Sequence, residues 1–221
     1  DGLLIHVTDG APEDMTDARR LGFATREQYA AVRAGELDRA VAALGADVAR
    51  RAYAIPDQGA TAALPSIVDR LADDLHGASA VVTHAYEGGH PDHDAVALAV
   101  GAAVERIVAR GGTAPVRVEF ASYHLLDDVR VWARFWPTMD CPERTRAFAG
   151  DDADRVEAAL LAHASQAAVF DAWRPRVERW RAAPRYDFTR PPPPGACLYD
   201  RFGWAMTSER WRAAARDMLV P

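Results

Sequence analysis

Residues Thr83 to Ala95 read THAYEGGHPDHDA, which places three histidines, three acidic residues and two adjacent glycines within thirteen positions. An apolar run, ASAVV, precedes this stretch, and a helical pattern follows it. In an open parallel sheet, ligands bind outside the carboxyl ends of the strands, and the loop from Tyr86 to His93 occupies such an end. Gly88 and Gly89 let the backbone turn sharply and come close to a ligand. His90 and His93 straddle Pro91 and Asp92 at the head of the helix. The positive end of a helix dipole disfavours an imidazolium, and a neutral imidazole is the form that binds metal. His93, nearest the helix, is therefore the candidate metal ligand. Asp92 can hold the tautomer of a neighbouring histidine, and His90 can serve as a general acid or an oxyanion partner. The alternative is a polar loop whose histidines only cap and hydrogen-bond. Two ligands also fall short of the three protein groups that a catalytic zinc site usually has.

The elements that must position these residues are legible along the chain. Gly2–Thr8 (GLLIHVT) reads as a strand entering a polar loop, DGAPED. Thr25 to Leu44 reads as a helix with Tyr29, Val32, Leu37, Val41 and Leu44 near one face and Gly45 at its C-cap. RRAYAIPDQG gives a strand and turn, LPSIVDRLADDLHG a helix closed by Gly77, and ASAVVTH a further strand. Asp94 to Ala109 is expected to be helical, burying Val96, Val100, Ala103, Val104 and Ile107, and RGGTAPVRVEFASYH turns into another strand. This alternation predicts a mostly parallel sheet with helices on both faces. After Asp127 the character changes. Trp132, Phe135 and Trp136 cluster, a helix is expected from Asp152 to Phe170, and RPPPPGACLYDRFGW is expected to cross the surface in extended form. A last helix spans Ser208 to Leu219. Trp173, Trp180, Trp204 and Trp211 either shape a substrate rim or form a subunit contact.

The chain has 221 residues, 49% hydrophobic and 26% charged, which suffices for one α/β domain. Its formal net charge of -6, with basic residues scattered among acids, argues against nucleic-acid binding. Cys141 and Cys197 fit neither a disulfide framework nor a zinc ribbon and are expected to be free thiols in a reducing cytoplasm. No apolar stretch approaches the ~18 residues that a membrane span needs. Neither G-x-G-x-x-G nor a P-loop is present, which leaves a nucleotide-binding domain as a weak rival. Of the other histidines, His6 is expected to pack in its strand and His163 to sit within a helix. His84 and His124 end strands on the side of the candidate site.

THAYEGGHPDHDA resembles the second signature of the PIG-L/LmbE-like zinc N-deacetylases, which remove acetyl groups from N-acetylglucosamine-type sugars. HVTDG is similar to the second strand and loop of that family, RAGELDRAVAALG (Arg33–Gly45) to its R-x-x-E helix, PDQG (Pro56–Gly59) to its Asp-containing turn, and HASQ (His163–Gln166) to a run near its C-terminal helix. The resemblance implies a Rossmann-like three-layer αβα fold over residues 1–221, with an α/β core to 126 and C-terminal helices and an extended strap over 127–221. It implies a Zn²⁺-dependent hydrolase in which His93 is a zinc ligand. His90 would stabilise the tetrahedral oxyanion or protonate the leaving amine, oriented by Asp92, while Arg33 and Asp57 contact sugar hydroxyls. Salt bridging to Glu36 and turn formation are the plainer roles for Arg33 and Asp57. The implied partner is a small N-acylated amino sugar or glycoconjugate, and a homo-oligomer is compatible with the sequence. The family's first signature, H-P-D-D after the first strand, does not occur in these residues. That strand, central in the family's sheet, and its metal-binding segment are expected upstream of Asp1, since its loss would leave two unpaired strand edges in the core. A sugar-binding relative that has lost its metal is the alternative.

Overall fold

The computed structural model describes residues 2–137, 141–170, 173, 175–193 and 195–219. The elements run β1 (Leu3–Pro12), α1 (Thr16–Arg20), α2 (Arg26–Ala43), β2 (Ala49–Asp57), α3 (Leu64–Asp74), β3 (Ala80–His84), α4 (Pro91–Ala109) and β4 (Val116–Phe120). They continue with β5 (Tyr123–Leu126), β6 (Val129–Trp132), β7 (Arg144–Ala147), α5 (Asp151–Leu161), α6 (Ala167–Phe170), β8 (Val177–Ala182) and α7 (Ser208–Leu219). The fold is mixed α/β. It divides into two compact units, Asp1–Gly59 with Ala147–Val177, and Ala60–Arg146 with Glu178–Pro221.

In the first unit, β1 pairs in parallel with β2, from Leu3 opposite Ala49 to Pro12 opposite Asp57. The strand thus extends past Thr8 into the expected loop, with register irregularities between His6 and Thr8 and between Thr8 and Pro12. The α2 helix starts where the sequence places it, because the Thr25 side chain accepts the Gln28 N–H as an N-cap. Of the face expected to be buried, Tyr29 is, but Glu36 and Ala40 join it in place of the aliphatic residues, and Val32 and Leu44 are exposed. Tyr29 packs with Ala11 and Ala18 against Met15, Leu21 and Phe23, and the Glu36 carboxylate is drawn inward by hydrogen bonds. The Ser165 N–H and hydroxyl donate to it at 2.6 and 2.7 Å. The same bonds break the helix expected over 152–170. The α5 helix stops at Leu161, His163 leaves helical geometry (φ -87°, ψ 59°), and a short 3₁₀ turn, Ala164–Gln166, leads into α6. His163 lies at this break and not inside a helix.

In the second unit, β3 pairs in parallel with β4, and β8 adds antiparallel to β4, giving the order β3-β4-β8-β7. The α4 helix starts at Pro91, three residues earlier than expected, because proline at its first position is already set in φ and has no N–H to leave unbonded. It packs against α3, burying Leu98, Val104 and Ile107, while α3 buries Leu64, Ile67, Val68 and Leu71. Strands β5 and β6 form a two-residue hairpin in which Asp127 and Asp128 both have positive φ (48° and 66°), as such tight turns require. The proline-rich segment is not simply an extended surface crossing. Cys197, Leu198 and Tyr199 are buried, and Leu198–Arg201 forms a 3₁₀ turn. The Leu198 N–H donates to the Gly88 carbonyl at 2.7 Å, and the Trp211 indole donates to that of Pro91 at 3.1 Å. The segment is a strap fastened to the GGHPDH loop. No helix among the described residues is long and apolar enough to cross a membrane.

Candidate functional site

Three imidazoles meet in the second unit. His84 ends β3, His90 is the N-cap of α4, and His93 lies in the first turn of that helix. The His84 and His93 rings stack at 4.1 Å and 5°, and the His90 and His93 rings lie 5.1 Å apart. The Asp92 backbone N–H donates to His90 Nδ1 at 3.2 Å. That nitrogen must therefore carry a lone pair, and the neutral ring holds its proton on Nε2. The Asp92 carboxylate is 4.0 Å from the same nitrogen and instead accepts the Ala60 N–H at 3.1 Å. The tautomer of His90 is thus set by the Asp92 amide and not by its carboxylate. Nδ1 of His93 is buried and has no hydrogen-bond partner. Burial pushes His84 down to about 4. Burial, aided by His84, takes His90 down to about 3. His93 falls well below the usual imidazole range through burial and then its two histidine neighbours. All three rings are neutral at pH 7, whereas a helix dipole alone would act on the nearest.

The surrounding shell contains the two glycines of the loop and two acidic residues, Glu87 and Asp94, to which sequence reasoning gave no role. Gly88 has φ +71°, and a Cβ there would come within 2.9 Å of Pro192 Cγ and 3.0 Å of Cys197 Sγ, so the strap needs glycine beneath it. A Cβ on Gly89 would overlap the Tyr123 carbonyl oxygen. Asp94 is fully buried, and one of its oxygens accepts the N–H groups of Glu87 and Gly88, both at 3.1 Å. Burial raises its pKa well above the carboxylate range. Glu87 accepts the N–H groups of Ser122 and Tyr123 at 2.8 and 3.0 Å, and its other oxygen lies 3.2 Å from His124 Nδ1. Burial lifts Glu87 to about 8 and lowers His124 to about 4, so the pair is neutral. His124 is committed to this pair, while His84 joins the imidazole cluster. Only the density of acidic residues around Gly88 pointed to Glu87, because its partners lie 35 or more residues away.

Arg33 and Asp57 belong to the first unit. Arg33 donates to Glu36 at 3.1 Å, yet its Nε is buried without a partner. Gly10 (φ +71°) makes room, since a Cβ would come within 2.8 Å of that Nε. Asp57 ends β2, and burial lifts it to about 6 against the opposing pull of Arg33. His6 Nε2 and His163 Nδ1 are also buried without partners, and both rings feel the Arg33 charge. His6 is therefore not merely packed among apolar groups.

Residues 2–104 match the family model for PIG-L, described as GlcNAc-PI de-N-acetylase. The match covers a little under half of the chain. The matched span includes Arg33, Asp57, His90, Asp92 and His93. Solved structures share the fold. An A40926 pseudoaglycone deacetylase superposes with a TM-score of 0.60 at 17% identity over 84% of this chain and 86% of its own. A teicoplanin deacetylase in a zinc-inhibited form gives 0.58 at 17% over 84% and 88%. A deacetylase from the teicoplanin biosynthesis pathway gives 0.56 at 18% over 84% and 87%. At such identities the likeness is one of fold. No curated protein matches the chain.

Proposed function

We propose that this protein is a zinc-dependent N-deacetylase that hydrolyses the N-acetyl or another N-acyl amide of an amino-sugar-containing small molecule. One observation carries the reading: within the span matching PIG-L, a cluster of neutral imidazoles sits at the head of α4, with one buried nitrogen unpartnered. The donors suit the metal, because zinc takes neutral imidazole nitrogens and carboxylate oxygens. His93 would hold it. When bound, zinc supplies Lewis acidity to an acyl carbonyl and lowers the pKa of water toward ~7.

The chain's own residues account for the rest. His90, fixed with its proton on Nε2, is a neutral donor suited to the oxygen that gains charge as the amide carbonyl becomes tetrahedral. The low pKa of this ring favours that role over proton donation to the leaving amine. The Asp92 amide keeps the tautomer. Arg33, with a free buried N–H, and Asp57 are assigned to sugar hydroxyls. Residues 1–221 form a single deacetylase domain in this reading, acting in the cytoplasm, consistent with the free thiols of Cys141 and Cys197.

Acetate release from N-acetylglucosaminides tests the assignment. The protein should turn over, lose activity to a chelator and regain it with zinc. His90→Asn keeps an N-cap acceptor but removes the imidazole donor, and should lower kcat by about 10²–10³-fold with little change in stability. Sugar binding without any acetate release, with zinc present, would favour the non-catalytic relative.

A further inference from the structure

Around the imidazoles of the second unit runs a circuit of aromatic rings that the proposed chemistry does not use. Tyr123 sets its edge against His93 at 5.4 Å and 66°, and Trp132, its cross-strand partner on the β5–β6 hairpin, lies 4.9 Å from it. On the strap, Trp204 stands edge-on to His90 at 5.0 Å, and Phe202 lies 4.8 Å from Trp204. Arg130 closes the circuit, with its guanidinium over the Trp132 ring at 5.5 Å and the Phe202 ring at 5.8 Å. Arg201 binds Asp128 at the hairpin tip, so hairpin and strap are tied together beside the histidines.

These rings differ from the aromatic side chains of the same unit that only fill space. Trp211 is fully buried and Phe135 nearly so, whereas Phe202 is 38% exposed and Tyr123, Trp132 and Trp204 are half-buried. Partly wet π faces beside a reactive group provide stacking surface for a flat ligand. The charge is also specific. Arg130 has no carboxylate partner among the described residues, and it sits where it can meet an acidic substituent on a ring stacked below it.

We propose that this circuit is the subsite for the non-reacting part of the substrate, and that this part is an aromatic ring bearing an acidic group, attached to the N-acyl amino sugar. The proposal rests on the deacetylase reading for the sugar but makes its own claim about what the sugar is joined to. Trp132 and Trp204 stack the ring, Phe202 flanks it, and Arg130 pairs with the acid. They are specificity-determining residues with no part in bond cleavage.

Binding to the metal-free full-length protein, followed by tryptophan fluorescence and calorimetry, tests this apart from catalysis. The probes are the methyl, octyl and 4-carboxyphenyl glycosides of N-acetylglucosamine. The carboxyphenyl glycoside should bind at least ~10-fold more tightly than the methyl one. Trp204→Ala and Trp132→Ala should each erase most of that preference, and Trp204→Phe should retain most of it. Arg130→Gln should cost about 3-fold and abolish the salt dependence of binding. Phe202→Ala, at an exposed position that cannot threaten the fold, should weaken carboxyphenyl binding about 2–5-fold. Equal affinities for methyl and carboxyphenyl glycosides, tighter binding of the octyl glycoside, or no binding of any probe at ~10 mM would overturn the proposal. Aryl preference without acetate release would count against the deacetylase reading alone, and acetate release without aryl preference against the subsite alone.

Discussion

Two buried polar clusters in the second unit make opposite use of their hydrogen-bonding capacity. In the first, the Arg181 Nε donates to Glu119 at 2.7 Å, and its Nη1 donates to the Trp136 carbonyl at 2.8 Å. Tyr186 donates to Glu119 at 2.8 Å, and Phe135 lies 4.2 Å from the guanidinium. Burial raises the Glu119 pKa, and the hydrogen bonds from Arg181 and Tyr186 pull against it. In the second cluster, His93 stacks on a ring whose pKa is also depressed and leaves a buried nitrogen unmet. A saturated network holds a fold together. An unsaturated one costs stability and has its use in binding something.

Apolar substitutions of similar shape sharpen this contrast, and Arg181→Met should have the largest effect. It strands the Glu119 carboxylate and should destabilise the protein by about 3–5 kcal/mol in urea unfolding. Loss of less than about 1 kcal/mol would mean that the network is not structural. Asp94→Ala comes next, since it leaves the Glu87 and Gly88 N–H groups buried and unbonded, at about 2–3 kcal/mol by the same measurement, whereas Asp94→Asn keeps the acceptor and most of the stability.

Glu87 allows a subtler test. Its pKa, about 8 in the folded protein, exceeds the ordinary 4.5, so the native state holds a proton that the unfolded chain has released between those values. Its stabilising contribution is complete below pH 4.5 and declines as pH rises toward 8. His124, held near 4, acts in the opposite sense below its ordinary 6.5, so the Glu87 effect stands clear of this partner between 6.5 and 8. The Glu87 contribution should fall by about 1–2 kcal/mol across that window, read as the difference in pH slope between the wild type and Glu87→Gln, whose amide can accept the same N–H groups and donate to His124.

The parts of this arrangement that depend on local pattern were legible in the sequence. Alternation and turn residues located β1, β2, β3 and β4, and GGHPDH located the loop. The hydrophobic pattern places the start of α4 three residues late, because Pro91, which it leaves in the loop, opens the helix. The break at His163 was illegible because the Ser165 amide leaves the helix for a carboxylate 129 residues away. Strand β8 (VERWRA) has the composition of a solvated segment, and Arg181 becomes a core residue only through Glu119 and Tyr186. Nothing in a sequence distinguishes the Asp92 amide, which donates to His90 Nδ1, from the Asp92 carboxylate.

The most direct test of the central claim is zinc content and unfolding free energy measured side by side for the wild-type protein and His93→Phe. The substitution keeps a stacked ring beside His84 and removes the imidazole whose Nδ1 is buried without a partner. Stability without metal should change by less than about 1 kcal/mol, in contrast to Arg181→Met, while about one equivalent of zinc in the wild type should be lost in the variant. Full zinc occupancy in His93→Phe, or a destabilisation of about 3 kcal/mol with no zinc in either protein, would contradict the account, because His93 would then be one more structural side chain.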